Sequence, residues 1–363
     1  MTGRLRKRMM VLSVFVLLML VAATACVPEV WGFFVTMKDE GTTVDGLDYD
    51  TNDILILYPW DVSPYWDKFF DSDANGLKPK DNINAFSFNE LILHETFTTT
   101  VATDTYTGTV ELYLNFSQNQ IKVPGIDPNV YGQDIVRYSA EWTDGVPDSY
   151  EYNLFFDGSD VGLTTVGEKL DGISYWPTDY YAPLADDIAL PYDCNAGVLF
   201  LTTAGKYRVN NNQGGFLIGD GSDVLLFCAT NLGPDTAGFW FRAFDGSDAG
   251  FDPPNAGYGI DVFYVGTPEI DEDSGDLQDF EIAFFFTPKK PFENYCGWAY
   301  PSQLMLGGVL GEDPPIEGDC AIGPFVDFEA GVGAGDPDPW YFPGTGGMVD
   351  SVGVFDYPGS FVP

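Results

Sequence analysis

Histidine is nearly missing from this chain: His94 is the one copy in 363 residues. A multi-histidine metal centre is thereby excluded, and a lone histidine inside the strand-like run "ELILHET" reads as a packed or exposed strand residue rather than a base. Basic residues are scarce too, with 16 Lys and Arg against 55 Asp and Glu and a formal net charge of −39. Such a field repels polyanions, so nucleic acid and anionic lipid surfaces are poor partners for the folded body, whereas calcium and cationic ligands suit it. Beyond the first residues, no long stretch carries apolar residues at helical spacing with capping signals at both ends, which excludes a helical fold. A G-x-S-x-G elbow, an H-E-x-x-H helix, a Gly-rich phosphate loop and a Cys-x-x-Cys pair are all missing, so no catalytic residue is nominated. What the chain has instead is 45% hydrophobic and 16% aromatic residues, a composition that builds a packed core rather than a disordered chain.

Four of the basic residues lie in "RLRKR" (Arg4–Arg8), ahead of an apolar run, Met9–Val21, that is too short for a membrane span. This is the layout of an export signal over residues 1–25. It ends in "AATAC", where Ala23 and Ala25 satisfy the small-residue rule of signal cleavage. Cys26, directly after, resembles the lipobox cysteine of bacterial lipoproteins, although Ala23 stands where that family usually has Leu. The resemblance implies a lipid anchor at Cys26 and a membrane partner; the plainer alternative is a secreted protein. Either way the mature chain is extracytoplasmic, and loss of four basic residues lowers its charge from −39 to −43. Five cysteines are an odd number, and setting Cys26 aside leaves four, enough for two disulfides in an oxidising compartment. Cys194 and Cys228 flank an apparent hairpin centred near Asn211 and are the expected first pair. Cys296 and Cys320 follow by elimination.

The same aromatic-then-acidic segment is written three times. "FFDSDANGL" (Phe69–Leu77), "FFDGSDVGL" (Phe155–Leu163) and "AFDGSDAGF" (Ala243–Phe251) align without gaps, their leading aspartates Asp71, Asp157 and Asp245 falling 86 and 88 residues apart. Ahead of each copy runs an acid-led apolar strand: "NDILILY" from Asn52, "QDIVRY" from Gln133 and "SDVLLF" from Ser222. Behind each comes a strand with an Asx residue near its start, "INAFSF" from Ile83, "LDGISYW" from Leu170 and "IDVFYV" from Ile260. An aromatic-rich strand closes each unit: "VELYLNF" from Val110, "VLFLTTA" from Val198 and "EIAFFFT" from Glu281. Such β-branched and aromatic runs fit a pleated surface. The ends look like partial units, "WGFFVTM" from Trp31 matching the aromatic-rich strand and "MVDSVGVF" from Met348 the Asx strand.

The expected fold is therefore all-β: one domain over 26–363, with repeats at about 50–117, 130–209 and 219–290 and an atypical closing repeat or cap over 291–363. Partial units at both termini fit a β-propeller-like ring of about four four-stranded repeats; a tandem β-sandwich is the alternative. The acid-led strand, the "FDGSDVGL" turn, the Asx strand and "LTTAGKY" together resemble an uncharacterised repeat of exported bacterial proteins laid out like propeller blades. That resemblance implies architecture and no activity.

Two readings of the repeated turn stand side by side. As a joint, Gly158 and Gly246 take positive φ and Asp157 and Asp245 accept backbone hydrogen bonds. As a site, its oxygens hold calcium, the one cofactor the sequence suggests: Asp71, Asp73 and Asn75 open like an EF-hand loop, with Asp157, Ser159 and Asp160, then Asp245 and Asp248, in the later copies. The joint is the first choice. A second candidate surface is the aromatic segment "YWPTDYYAP", whose Tyr175, Trp176, Tyr180 and Tyr181 either bind a polysaccharide or protein ligand or cover the core. The reading that follows is a cell-envelope binding or structural module without catalytic activity. The alternative is a propeller-type glycoside hydrolase using carboxylates near a central channel.

Overall fold

The computed structural model describes residues 32–247 apart from 38–39, 44–45, 59–64, 79, 89–97, 100–105, 128, 144–145, 179–193 and 212–213, and between 258 and 355 the strands named below. It is all-β with almost no helix; short 3-10 turns occupy Gly158–Val161 and Val166–Glu168. The strands in chain order are β1 (Gly32–Met37), β2 (Ile54–Tyr58) and β3 (Tyr65–Phe70), then β4 (Ile83–Phe88), β5 (Tyr106–Phe116), β6 (Ile135–Thr143) and β7 (Val146–Phe156). They continue with β8 (Leu170–Trp176), β9 (Val198–Thr203), β10 (Val224–Asn231) and β11 (Ala237–Phe244), then β12 (Tyr258–Val265), β13 (Ile282–Pro288), β14 (Gln303–Val309), β15 (Ile322–Asp327) and β16 (Val349–Phe355). Two-residue to four-residue ribbons decorate the connections, the longest pairing Tyr207–Asn210 with Phe216–Gly219.

Among the described residues these strands form four larger antiparallel sheets. Three are meanders of consecutive strands: β4-β5-β6-β7, β8-β9-β10-β11 and β12-β13-β14-β15, the last extended by Val332–Gly333. The remaining sheet has the order β16-β1-β2-β3 and joins the two ends of the chain, with Gly32 opposite Phe355 and Val35 opposite Val352. Three of the sheets therefore run Asx strand, aromatic-rich strand, acid-led strand and turn-bearing strand, and the fourth opens with the Asx and aromatic-rich strands β12 and β13 but has neither an acid-led β14 nor the acidic turn after β15. The repeat written in the sequence is two strands out of phase with this, so the repeated turn lies between sheets and not within one. The expected closing cap over 291–363 is divided: β14 and β15 complete the fourth sheet and β16 completes the first.

Alternation of side chains explains how the sheets stack. On β5, Val110, Leu112, Leu114 and Phe116 face one way and share a buried cluster with Phe34, Ile54, Ile56 and Phe70 of the first sheet. Tyr113 faces the other way, into a second cluster with Phe156, Leu199, Leu201, Leu225, Phe227 and Trp240. Neighbouring β6 splits in the same manner, Val136 and Tyr138 to the first cluster and Ile135 to the second. The second sheet is thus buried on both faces, whereas an antiparallel sheet in a two-layer sandwich keeps one face to solvent. The second cluster is centred on aromatic edges: Phe156 lies 5.3 Å from Phe227 and 6.4 Å from Trp240, with Phe227 and Trp240 4.7 Å apart.

The first strands of the four sheets are neighbours in order: β4 lies against β8, β8 against β12, β12 against β16, and β16 against β4. Side-chain bonds replace ladder bonds at the one such contact whose side chains are described. Asn84 Nδ2 donates to Leu170 O (2.6 Å) and to Asp171 Oδ1 (3.0 Å), and Tyr175 N donates to Ser87 Oγ (3.0 Å). Asn84 and Asp171 are the Asx residues of their strands, and both are buried.

Cys194 and Cys228 are joined by a disulfide, Cα to Cα 4.9 Å, the expected pair. Val198 of β9 faces Cys228 of β10 across the ladder, so the bond ties the chain entering β9 to the end of its partner strand. Cys26, Cys296, Cys320 and His94 lie outside the described residues.

Candidate functional site

The three copies of the acidic turn follow β3, β7 and β11, each leading from the last strand of one sheet towards the first strand of the next. The aspartate that starts each acid-led strand holds the turn. Asp53, Asp134 and Asp223 are 1%, 4% and 3% exposed, and each carboxylate accepts from two backbone amides in the same way. One oxygen takes the amide three residues upstream: Asp50 N to Asp53 Oδ2 at 3.0 Å, Tyr131 N to Asp134 Oδ2 at 2.8 Å, and Asp220 N to Asp223 Oδ2 at 3.2 Å. The other takes the second residue of the acidic turn: Ser72 N to Asp53 Oδ1 at 3.0 Å, Gly158 N to Asp134 Oδ1 at 3.1 Å, and Gly246 N to Asp223 Oδ1 at 3.0 Å.

The turn's own side chains complete it. Asp157 Oδ1 accepts from Ser159 N (3.0 Å) and Oγ (2.6 Å), and Asp245 Oδ1 repeats this with Ser247 at the same two distances. Asp71 Oδ1 accepts from Ala74 N at 3.1 Å. The expectation that Gly158 and Gly246 adopt positive φ is corrected. The left-handed residue is the sixth of the turn, Gly76 at φ 76° and Gly162 at φ 98°. At Gly158 and Gly246 a Cβ would meet Gln133 O at 2.3 Å and Ser222 O at 2.2 Å, a crowding particular to these two copies, since Ser72 takes the same place in the first.

The first two turns also grip the following sheet. Tyr152 Oη donates to Asn75 O and, in the next copy, Trp240 Nε1 donates to Val161 O, both at 2.9 Å. Thr236 N donates to Asp160 Oδ2 (3.1 Å), Asp157 N to Thr236 Oγ1 (2.9 Å), and Gly233 N to Phe155 O (2.6 Å). Asn75, a nominated calcium ligand, is instead a buried bridge: its Oδ1 accepts from Tyr138 Oη and its Nδ2 donates to Asp71 O at 2.7 Å. Asp73 is exposed and Asp248 lies outside the described residues. Among the described residues no group of three His, Cys, Asp or Glu side chains is placed to hold a metal ion.

The second candidate surface is corrected in part. Trp176 is 5% exposed and packs edge-on against Phe200 at 5.5 Å. Tyr175 is half-buried between Tyr113 and Phe155, at 4.7 and 4.9 Å, with its Oη donating to Ala196 O. Tyr175 thus fills space between two sheets and Trp176 is buried against the neighbouring strand of its own sheet; Tyr180 and Tyr181 lie outside the described residues. No family model, curated protein or solved structure matches this chain.

The residues that sequence reasoning missed are the three buried aspartates. They were visible as the acid leading each repeat strand, yet an acid before a strand reads as an exposed turn residue until the fold buries it. Burial pushes the carboxyls of Asp134 and Asp223 up to about 6, against the pull of the backbone amides that favour the charged form. A folded-state value above the unfolded one means that the folded chain holds the proton more tightly, so this contribution is complete below the unfolded value of 3.8 and is lost as pH rises through about 6. Chemical unfolding should therefore show greater stability at pH 5 than at pH 7.5, and Asp134→Asn should flatten that slope. Asp134→Ala, which strands two turn amides, should cost on the order of 2 kcal/mol. A stability unchanged by Asp134→Ala would remove the carboxylate from its structural role.

Proposed function

We propose that the chain is an exported, lipid-anchored cell-envelope module, a propeller-like ring of four four-stranded sheets whose role is binding or structural and not catalytic. The observation that carries the architecture is the order of neighbours among the first strands, β4 to β8 to β12 to β16 and back to β4, with the C-terminal β16 completing the N-terminal sheet. A strand contributed from the opposite terminus is how a ring of sheets avoids an open seam. Burial of both faces of the second sheet supports the same reading. Averaged electron-microscope projections of the mature chain should be four-lobed; a two-lobed particle would return the fold to tandem sandwiches.

Export rests on the leader, and the disulfide fits an oxidising compartment. A non-catalytic role is supported by the use of the perturbed acids. Buried carboxylates with raised pKa values are the usual candidates for acid or base chemistry. Here Asp134 and Asp223 occupy equivalent places and each holds two backbone amides, which is a scaffold role. Expressed in a bacterium, the full chain should fractionate with membranes and carry an acyl modification on the Cys26 peptide, and Cys26→Ala should release it. Membrane retention of the Cys26→Ala protein would overturn the anchor.

In this reading the acidic turns are joints, closed by their own serines and by the buried aspartates. Melting of the mature chain after chelation should be unmoved by millimolar calcium. A rise of several degrees would make the turns ligands instead of joints.

A further inference from the structure

In a chain with so few cations, their placement is informative. Most of the described ones have a structural partner. Lys68 Nζ lies 2.8 Å from Asp53 Oδ2, Arg242 is 2.6 Å from Asp245, and Arg137 is 4.0 Å from Glu111. Lys169 Nζ donates to Ser117 O at 2.7 Å, and the Arg208 guanidinium sits 3.5 Å over the Phe216 ring. Four lysines depart from this pattern, and three of them share one place, Lys206 lying apart from the cleft they line. Lys78, Lys80 and Lys122 line one open cleft of about 250 Å³, together with Asp81, Gln120, Ile121 and Asn129. The lysines are exposed, and among the described residues none of them has a carboxylate within ion-pair distance.

The one acid in the lining does not neutralise them by contact. Asp81 is 3% exposed, and its Oδ2 accepts from the backbone N of Lys78 at 3.1 Å while its own N donates to Lys78 O at 2.8 Å. The walls are fixed from behind. Asn52 Nδ2 donates to Lys78 O (2.8 Å) and Ser117 N to Asn82 O (3.0 Å). Across the cleft, Ile121 and Val130 exchange backbone bonds of 2.9 and 3.0 Å, holding the loop that carries Gln120 and Lys122. Three exposed lysines thus line one braced cleft in a protein whose other described cations are mostly engaged in holding the fold together.

We propose that this cleft binds a tetrahedral oxyanion, sulfate or phosphate, taken either free or as the ester of a single sugar. The lining selects that chemistry. Lysine ammoniums are compact point charges that suit a tetrahedral anion from several sides, whereas a planar carboxylate is the usual target of the arginine fork, and among the described residues no arginine lines the cleft. The carboxamides of Gln120 and Asn129 supply further donors, and the cleft is roomier than a lone tetrahedral ion requires, which leaves space for a sugar ring beside it. The site does not depend on the lipid anchor or on closure of the ring.

The test is calorimetric titration of the mature chain with inorganic sulfate, inorganic phosphate, glucose 6-phosphate, glucose 6-sulfate and glucose, at constant ionic strength. Saturable binding of the oxyanions or their esters, with none for glucose, is the expected result; a tighter ester than free ion assigns the sugar ester as the source, and the reverse order assigns the free ion. Replacing Lys78, Lys80 and Lys122 together by Gln should weaken binding by at least about tenfold, while Lys206→Gln should leave it unchanged. These side chains are exposed, so the melting temperature should not fall in either variant. Absence of saturable binding to the native chain, or equal loss in Lys206→Gln, would overturn the proposal.

Discussion

A single carboxylate holding two backbone turns at once is the constraint on which the architecture depends. Each acid-led strand starts at a buried aspartate whose two oxygens face different segments, the turn before the strand and the acidic turn that follows the next one. Buried amides must find acceptors, and at these places the chain is changing direction, so no ladder can supply them. Only a carboxylate offers acceptors on both branches; an asparagine would aim a donor at one of the amides. The cost of burying the charge appears in the raised pKa values of Asp134 and Asp223, and the gain is that adjacent strands and the exit to the next sheet are fixed together.

Joining sheets needs a second element, and the chain repeats that too. The fifth residue of the turn presents its carbonyl to an aromatic donor of the following sheet, Tyr152 in one copy and Trp240 in the next. Different chemistries, a phenol and an indole, meet the same need because each combines a large apolar body with one polar tip. The body fills the space between sheets and the tip satisfies the carbonyl. Charge follows a looser rule: Lys68 and Arg242 occupy equivalent positions beside the turns, whereas the middle copy has Leu154 there. Pairing of the acids is thus optional, and the backbone bracket is not.

Much of this was legible beforehand and some was not, for definite reasons. Strand identity, the period, the partial units at the termini and the Cys194–Cys228 pair were all readable, because alternation, β-branched runs and spacing are local signals. The phase of the sheets was not, since "FDGSD" marks the end of a strand whether the next strand pairs with it or begins another sheet. Gly158 was assigned a conformational role when its real constraint is the nearby Gln133 carbonyl, a contact between segments that pattern reading does not reach. Trp176 looked like a ligand-facing aromatic because it borders a long loop, yet it is the last residue of β8 and faces Phe200 of β9.

Repetition itself locates where function should be sought. Every feature common to the copies, from the buried aspartate to the aromatic latch, has a partner inside the scaffold and a reason rooted in backbone satisfaction or packing. A feature that serves a ligand has no need to recur, and rigid β scaffolds carry such features in their connections. The loop between β5 and β6, which brings Gln120 and Lys122 opposite Lys78 and Lys80, is of this kind: the corresponding connection between β9 and β10 is built instead as a two-stranded ribbon with Arg208 stacked on Phe216. The shared framework and the divergent connection are therefore complementary, one holding the sheets in place and the other free to differ from copy to copy.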